Sequence, residues 1–320
     1  MRGVATVTPN PALDLTTRLG ALVPGAVNRV REAREDPGGK GINVAGFLAS
    51  QGASQRAGVP VLATGWLGEA NAAAFRAFLA AGGIADRFLP VAGSTRTNVK
   101  IVEDDERVTD LNFPGFAVDA AAEDALAASV RAVAAECGWV ALCGSLPRGA
   151  SPGLHARLLG EARTAGARVL LDASGPPFAA ALGAGPDVIK PNGEELGEFL
   201  GERVEDVADA AAAVGKVQAR GVGTVIVSLG AEGAVFAEGD ARVHAVGRPR
   251  ALVSTVGAGD AMVAGWLMGT LRGLDLAGRA RLATAFSLGA LSTLGPRLPD
   301  AAEIAALTEA VEVEALPDAA

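Results

Sequence analysis

The chain has 320 residues, half of them apolar and a fifth charged, enough to bury a large core as one α/β domain or two modest ones. Its formal charge of −8 argues against general nucleic-acid or membrane-surface binding, so a polyanionic substrate would need a local basic pocket. With only His155 and His244 present, zinc sites and Ser-His-Asp hydrolysis are poorly supported, and Cys137 and Cys143 read as buried, reduced thiols of a cytoplasmic protein.

Residues 1–7 read as a first strand without a signal-peptide apolar block, and no apolar run is long enough to span a bilayer. Asp14 follows that strand; an ionised Asp accepts hydrogen bonds from two sugar hydroxyls, or it caps a turn. Residues 13–33 and 95–113 carry extended, alternating patterns with no helix inside either pair of strands. They predict a small antiparallel sheet standing off the main body, either a lid over a cleft or an edge extension or dimer surface. Between them, Pro37-Gly38-Gly39-Lys40-Gly41-Ile42-Asn43 opens a helix running to Gln51. Gly38 and Gly39 would bring backbone amides against a ligand, and Lys40 and Asn43 offer donors; the alternative is a tight turn with a solvated lysine. The spacing is not that of a Walker A loop. Arg96 and Lys100, four apart in a predicted strand, share one face, where they clamp a phosphate or are simply solvated.

From residue 139 onward, apolar strands at 139–143, 168–172 and 224–228 alternate with helical segments at 152–165 and 206–220. The pattern predicts a mostly parallel sheet covered by helices on both faces, with ligands at the carboxyl ends of its strands. Gly144-Ser145-Leu146-Pro147 lies at one such end. Lys190-Pro191-Asn192-Gly193-Glu194-Glu195 lies at another, and its N-x-x-E spacing suits either a magnesium ion held through water or a helix cap. Ser228-Leu229-Gly230-Ala231-Glu232-Gly233 closes a strand with two glycines, which fits a nucleotide or a plain hairpin turn. The most informative stretch is Ser254–Gly265. Gly257, Ala258 and Gly259 would turn amides toward an anion at a helix start, and Asp260 stands ready to take a proton. After Pro299 the sequence predicts one helix and a frayed, acidic end.

Together and in this order, these motifs resemble those of the ribokinase-type (PfkB) carbohydrate kinases, from the first strand to about residue 293. The resemblance implies a single α/β kinase domain over residues 1–320, with a three-layer ribokinase-like core, a mostly parallel central sheet and a small β-sheet lid. It implies ATP and Mg²⁺, a phosphorylated ketohexose as acceptor and, most specifically, phosphorylation of fructose 1-phosphate at its C6 hydroxyl. Tagatose 6-phosphate or fructose 6-phosphate would be the acceptor of a sibling enzyme. By the same resemblance Asp260 is the base, and Gly257, Ala258 and Gly259 form the anion hole. Lys190, Asn192 and Glu195 serve the magnesium–triphosphate, with Asn192 and Glu195 meeting the metal through water or phosphate. Residues 228–233 hold the nucleotide. Asp14, Gly38, Gly39, Lys40, Asn43 and Ser145 hold the sugar phosphate, with Arg96 and Lys100 on its existing phosphate. A homodimer through the lid is a further implication. Two segments depart from the family pattern: the loop around Gln51–Pro60 is longer, and Pro114 would stiffen the lid edge. A non-catalytic sensor on the same scaffold is the rival of another class, disfavoured by the intact Asp260 and Gly-Ala-Gly loop. A Rossmann dehydrogenase lacks its G-x-G-x-x-G after the first strand.

Overall fold

A computed structural model describes residues 2–53, 58–105 and 107–317. The chain opens with β1 (Gly3–Thr8), β2 (Ala12–Arg18), β3 (Glu32–Gly38), α1 (Lys40–Ser50), β4 (Val61–Gly68) and α2 (Ala72–Ala81). It continues through β5 (Ala85–Asp86), β6 (Leu89–Val91), β7 (Arg96–Val102), β8 (Val108–Asn112), α3 (Ala120–Glu136) and β9 (Cys137–Cys143). Then come α4 (Leu154–Thr164), β10 (Arg168–Asp172), α5 (Gly175–Leu182), β11 (Val188–Ile189), α6 (Gly193–Leu200), α7 (Val207–Gln218) and β12 (Thr224–Ser228). The last part is β13 (Ala234–Glu238), β14 (Ala241–Val246), α8 (Ala258–Leu271), α9 (Leu276–Leu291), α10 (Ala301–Ala310) and β15 (Glu312–Ala315).

The large sheet runs β15-β14-β13-β12-β11-β10-β9-β1-β4-β5, with β6 beside the far end of β4. From β12 to β4 and its two short neighbours every pairing is parallel; β12 to β15 pair antiparallel. The parallel strands read as continuous apolar runs because both their faces are covered. In β9, Trp139, Ala141 and Cys143 join the core under α1, α8 and α9, while Val140 and Leu142 join the core under α3, α4 and α7. β1 divides likewise, Val4 to one side and Ala5 and Val7 to the other. These two cores make a three-layer α/β/α sandwich. Helix α8 is apolar all round because α1, α9 and the sheet enclose it, with Trp266 stacked on Phe236 at 5.8 Å between ring centroids.

The second sheet, β3-β2-β7-β8, is mixed rather than antiparallel. β2–β3 and β7–β8 pair antiparallel, as chain-adjacent strands do, but β7 returns from α2 and β6 and lies parallel to β2. Its strands span Ala12–Gly38 and Arg96–Asn112, so the first segment runs past the expected limit at residue 33. The reason is that β3, Glu-Ala-Arg-Glu-Asp-Pro-Gly, has no apolar alternation and is held by its pairing with β2. Pro114 lies beyond the end of β8. The end of the chain also differs from expectation: after α10 it forms β15 on the edge of the large sheet, with Glu314 opposite His244. Of the longer loop at Gln51–Pro60, residues 54–57 lie outside the described residues.

Candidate active site

The carboxyl ends of β1, β9, β10, β11 and β12 all point to one edge of the large sheet, and α1 and α8 begin there. α8 starts from Gly257, whose φ of 79° is left-handed backbone that a side chain would resist. The first intrahelical bond runs from the Ala261 amide to the Gly257 carbonyl at 2.8 Å. The amides of Ala258, Gly259 and Asp260 therefore precede the helical ladder, at its positive end. This is an anion-binding geometry with a carboxylate on its first turn.

Asp260 is buried, and its Oδ2 accepts a hydrogen bond from Asn43 Nδ2 at 2.7 Å. Burial first, and then the neighbouring Asp172 carboxylate, push its pKa up to about 6; Lys40, the Asn43 amide and Lys190 oppose that rise. The carboxyl is thus ionised at neutral pH yet far more basic than a solvated Asp, which suits a general base. Lys40 Nζ meets Asp172 Oδ1 at 3.0 Å and Lys190 Nζ meets the same oxygen at 3.5 Å. Burial alone would raise Asp172, but Lys190 and Lys40 hold it below the usual carboxylate range. Asp172 in turn lifts the Lys40 ammonium above its ordinary value, against the effect of burial.

On the other side of the cleft, Asp14 stands in β2 with Asp36 and Asn98 directly opposite it in β3 and β7. Its Oδ1 accepts from Asn98 Nδ2 at 3.2 Å, and burial raises its pKa against the influence of Asn98, Arg96 and Lys100. A Cβ on Gly38 would stand 2.1 Å from Asp14 Oδ2, so glycine there makes room for the carboxylate. Asp14, Asp36, Asn98 and Lys100 line a cavity of about 250 Å³ together with Val256 and Pro296. Arg96 and Lys100 do share a face, but they do not converge. Arg96 donates to the carbonyls of Asn10, Pro11 and Phe113, whereas Lys100 Nζ pairs with Asp110 at 2.5 Å, four residues or roughly 13 Å along the strand. Arg96 belongs instead with Ser145, because Asn10 Nδ2 donates to Ser145 Oγ at 3.1 Å. The loop carrying Ser145 is backed by the buried His155, whose Nε2 lies 3.0 Å from the Gly144 carbonyl and whose pKa burial depresses. A neutral ring with its proton on Nε2 makes that bond.

In the loops expected to hold the nucleotide, Asn192 and Glu195 form a reciprocal capping box at the start of α6, so the capping alternative is realised. The box uses Asn192 Oδ1 and Glu195 Oε2 and leaves Glu195 Oε1 outside it. No group of three or more acidic, histidine or cysteine side chains that could cage a metal occurs among the described residues. A lone half-buried carboxylate fits magnesium held chiefly by water and phosphate oxygens, the usual habit of that ion. Residues 228–233 connect β12 to β13, with Leu229 N donating to the Gly233 carbonyl at 2.8 Å, so the hairpin alternative is realised too. Ser228 N reaches the Pro191 carbonyl at 3.2 Å and brings that turn beside the capping box. Lys190 is the buried exception: its Nζ lies 3.3 Å from where a Cβ on Gly259 would stand.

Sequence reasoning passed over Asp172, the carboxylate at the centre of the charged cluster, and Asn98, which orients Asp14. Asp172 did leave a signal, as a lone acidic residue closing an apolar strand at the edge where the other loops gather.

Fold and site together have the make-up of a kinase of small polyhydroxylated molecules: an anion-binding turn with a tuned carboxylate, and beside it a small sheet whose Asp14 can accept from hydroxyls. Residues 8–302 match the model of the pfkB family carbohydrate kinases, and the chain belongs to that family. It is 49% identical over 316 residues to the 1-phosphofructokinase of Rhodobacter capsulatus, covering 98% of each chain. It is 45% identical over 295 residues to that of Xanthomonas campestris, covering 88% of this chain and 89% of the relative. Among solved structures, phosphofructokinase-2 from Escherichia coli in complex with substrates and products superposes with a TM-score of 0.88 at 26% identity, covering 96% of this chain and 98% of the other.

Proposed function

We propose that the chain transfers the γ-phosphate of ATP to the C6 hydroxyl of fructose 1-phosphate, giving fructose 1,6-bisphosphate and ADP. The observation that carries the choice of acceptor is the likeness, over nearly the whole of both chains, to 1-phosphofructokinases at 49% identity. In this reading Asp260 takes the proton of the C6 hydroxyl as its oxygen attacks, and Asn43 keeps the carboxylate aimed. The amides of Gly257, Ala258 and Gly259 meet the charge on the phosphoryl group in transfer. Asp14 accepts from sugar hydroxyls, with Gly38 and Gly39 bringing the backbone close, and Arg96 with Ser145 holds the phosphate already on the sugar. Lys100 serves that phosphate only by leaving Asp110. Asn192, Glu195 and residues 228–233 hold the nucleotide and its magnesium, which when bound neutralises triphosphate charge. The four-stranded sheet acts as a lid, excluding water that would otherwise waste ATP.

The lid is also the proposed dimer surface. Asp14, Asn98 and Asp110 face the cleft, so Leu15, Val99 and Leu111, in register across three strands, face away. Leu111 is 46% exposed, as an apolar row awaiting a second copy would be. The cytoplasm is the proposed location; among the described residues no helix is long and apolar enough to cross a membrane. Phosphorus NMR of the product made from fructose 1-phosphate, ATP and Mg²⁺ tests the chemistry. A new phosphomonoester coupled to the C6 protons is expected, and inorganic phosphate released with no new ester would contradict it.

A further inference from the structure

We propose that Asp172 is a positioning residue for phosphoryl transfer, its carboxylate holding Lys40 from the acceptor side and Lys190 from the nucleotide side as one cationic shelf against the Gly257–Gly259 turn. The inference rests on the kinase reading above, though not on which sugar phosphate is the acceptor. Asp172 ends β10 and is fully buried. Both ammonium groups converge on its Oδ1, at 3.0 and 3.5 Å, while Oδ2 has no hydrogen-bond partner among the described residues. Lys40 opens α1 and Lys190 follows β11, so one carboxylate ties together two loops that approach the cleft from different sides.

A carboxylate kept only to neutralise one buried lysine would not need the second. Two ammonium groups on a single oxygen repel each other, and each is costly to desolvate. Without the carboxylate, they would separate. With it, two cations and the two carboxylates Asp172 and Asp260 balance when Asp260 is ionised, the state a base requires. Lys190 lies against Gly259, where charge builds on the peripheral oxygens of a phosphoryl group in transfer. Asp172 thus acts through the lysines and does not itself touch the reacting atoms.

The test is steady-state kinetics of Asp172→Asn and Asp172→Glu, each relative to the native chain on whichever sugar phosphate the native chain uses best. A failure of the fructose 1-phosphate assignment therefore leaves this test intact. For Asp172→Asn, kcat is expected to fall roughly 10²–10³-fold, the scale of losing preorganised transition-state charge, with either KM changed less than about fivefold. The acid limb of kcat/KM against pH is expected to move to lower pH. The groups facing Asp260 are Lys40 and Asn43 from α1, Lys190 after β11, Cys143 at the end of β9, and Asp172 itself. Of these, only Asp172 brings a negative charge that holds the base's proton on. Asp172→Glu keeps the charge and is expected to hold the acid limb in place, with kcat between the native chain and Asp172→Asn. A purely structural role would lower Tm and leave kcat of the folded variant near native. For Asp172→Asn, a kcat within about threefold of native, an unmoved acid limb, or restoration of kcat by excess Mg²⁺ would overturn the proposal. Should that variant not fold, Asp172→Glu with fully native kcat would overturn it as well.

Discussion

At the scale of single residues, the decisive tension is at Asp260, a carboxylate made useful by an environment that costs stability. Its pKa rises from 3.8 to about 6, so the native state binds this proton more tightly than the unfolded chain does. Stability therefore declines as pH rises between those two values, and the deficit persists at neutral pH, at most about 3 kcal/mol for two pKa units. Asp260→Asn removes the buried charge and keeps an acceptor for Asn43. It is expected to raise Tm at pH 7.5 by a few degrees while lowering kcat by roughly 10²–10⁴-fold. Calorimetry and turnover on one preparation check both; a lower Tm or near-native turnover would contradict the role. The same pKa sets the acid limb of the native chain. Its kcat/KM should fall tenfold per pH unit below about pH 6, and a flat profile down to pH 5 would mean that another group is the base.

At the scale of elements, the β3–α1 turn joins the four-stranded sheet to the core. Gly38 ends β3 against Asp14, and Lys40 begins α1 two residues later. Gly38→Ala is expected to displace the Asp14 carboxylate and raise KM for the sugar phosphate at least about tenfold, with kcat changed less, because uniform binding is lost rather than transition-state binding. Unchanged KM would mean that Asp14 does not hold the sugar. The elements also show what a sequence can disclose. β10 and β12 were legible to the residue because runs such as Val169-Leu170-Leu171 and Val225-Ile226-Val227 are buried on both faces and bounded by polar turns. β3 and β15 were not, since Glu32–Asp36 and Glu312–Ala315 take their strand form from partners, β2 and β14, and not from their own patterning. The site divides in the same way. Asp260 and the Gly257 turn are local in sequence and were legible. The charged cluster was not, because Lys40 reaches Asp172 across 132 positions and no local spacing records that meeting. Arg96 and Lys100 share a face as their spacing requires, but which carbonyl or carboxylate each takes is decided by neighbouring strands.

In the molecule as a whole, a three-layer core presents the Gly257–Gly259 turn, and a separate four-stranded sheet shares a cavity with Val256 and Pro296 beside it. The row Leu15–Val99–Leu111 on the outside of that sheet is the proposed packing surface for a second copy. Leu111→Asp is therefore expected to shift the sedimenting species from dimer to monomer at micromolar concentration, since a charge would be desolvated in the interface. An unchanged mass would place the interface elsewhere or make the chain a monomer throughout. Which sugar phosphate the chain phosphorylates is read from ADP release by the purified chain. With ATP and Mg²⁺, fructose 1-phosphate, fructose 6-phosphate and tagatose 6-phosphate are compared as acceptors. The highest kcat/KM is expected with fructose 1-phosphate; a preference for either 6-phosphate, or no ADP from any of the three, would overturn the assignment.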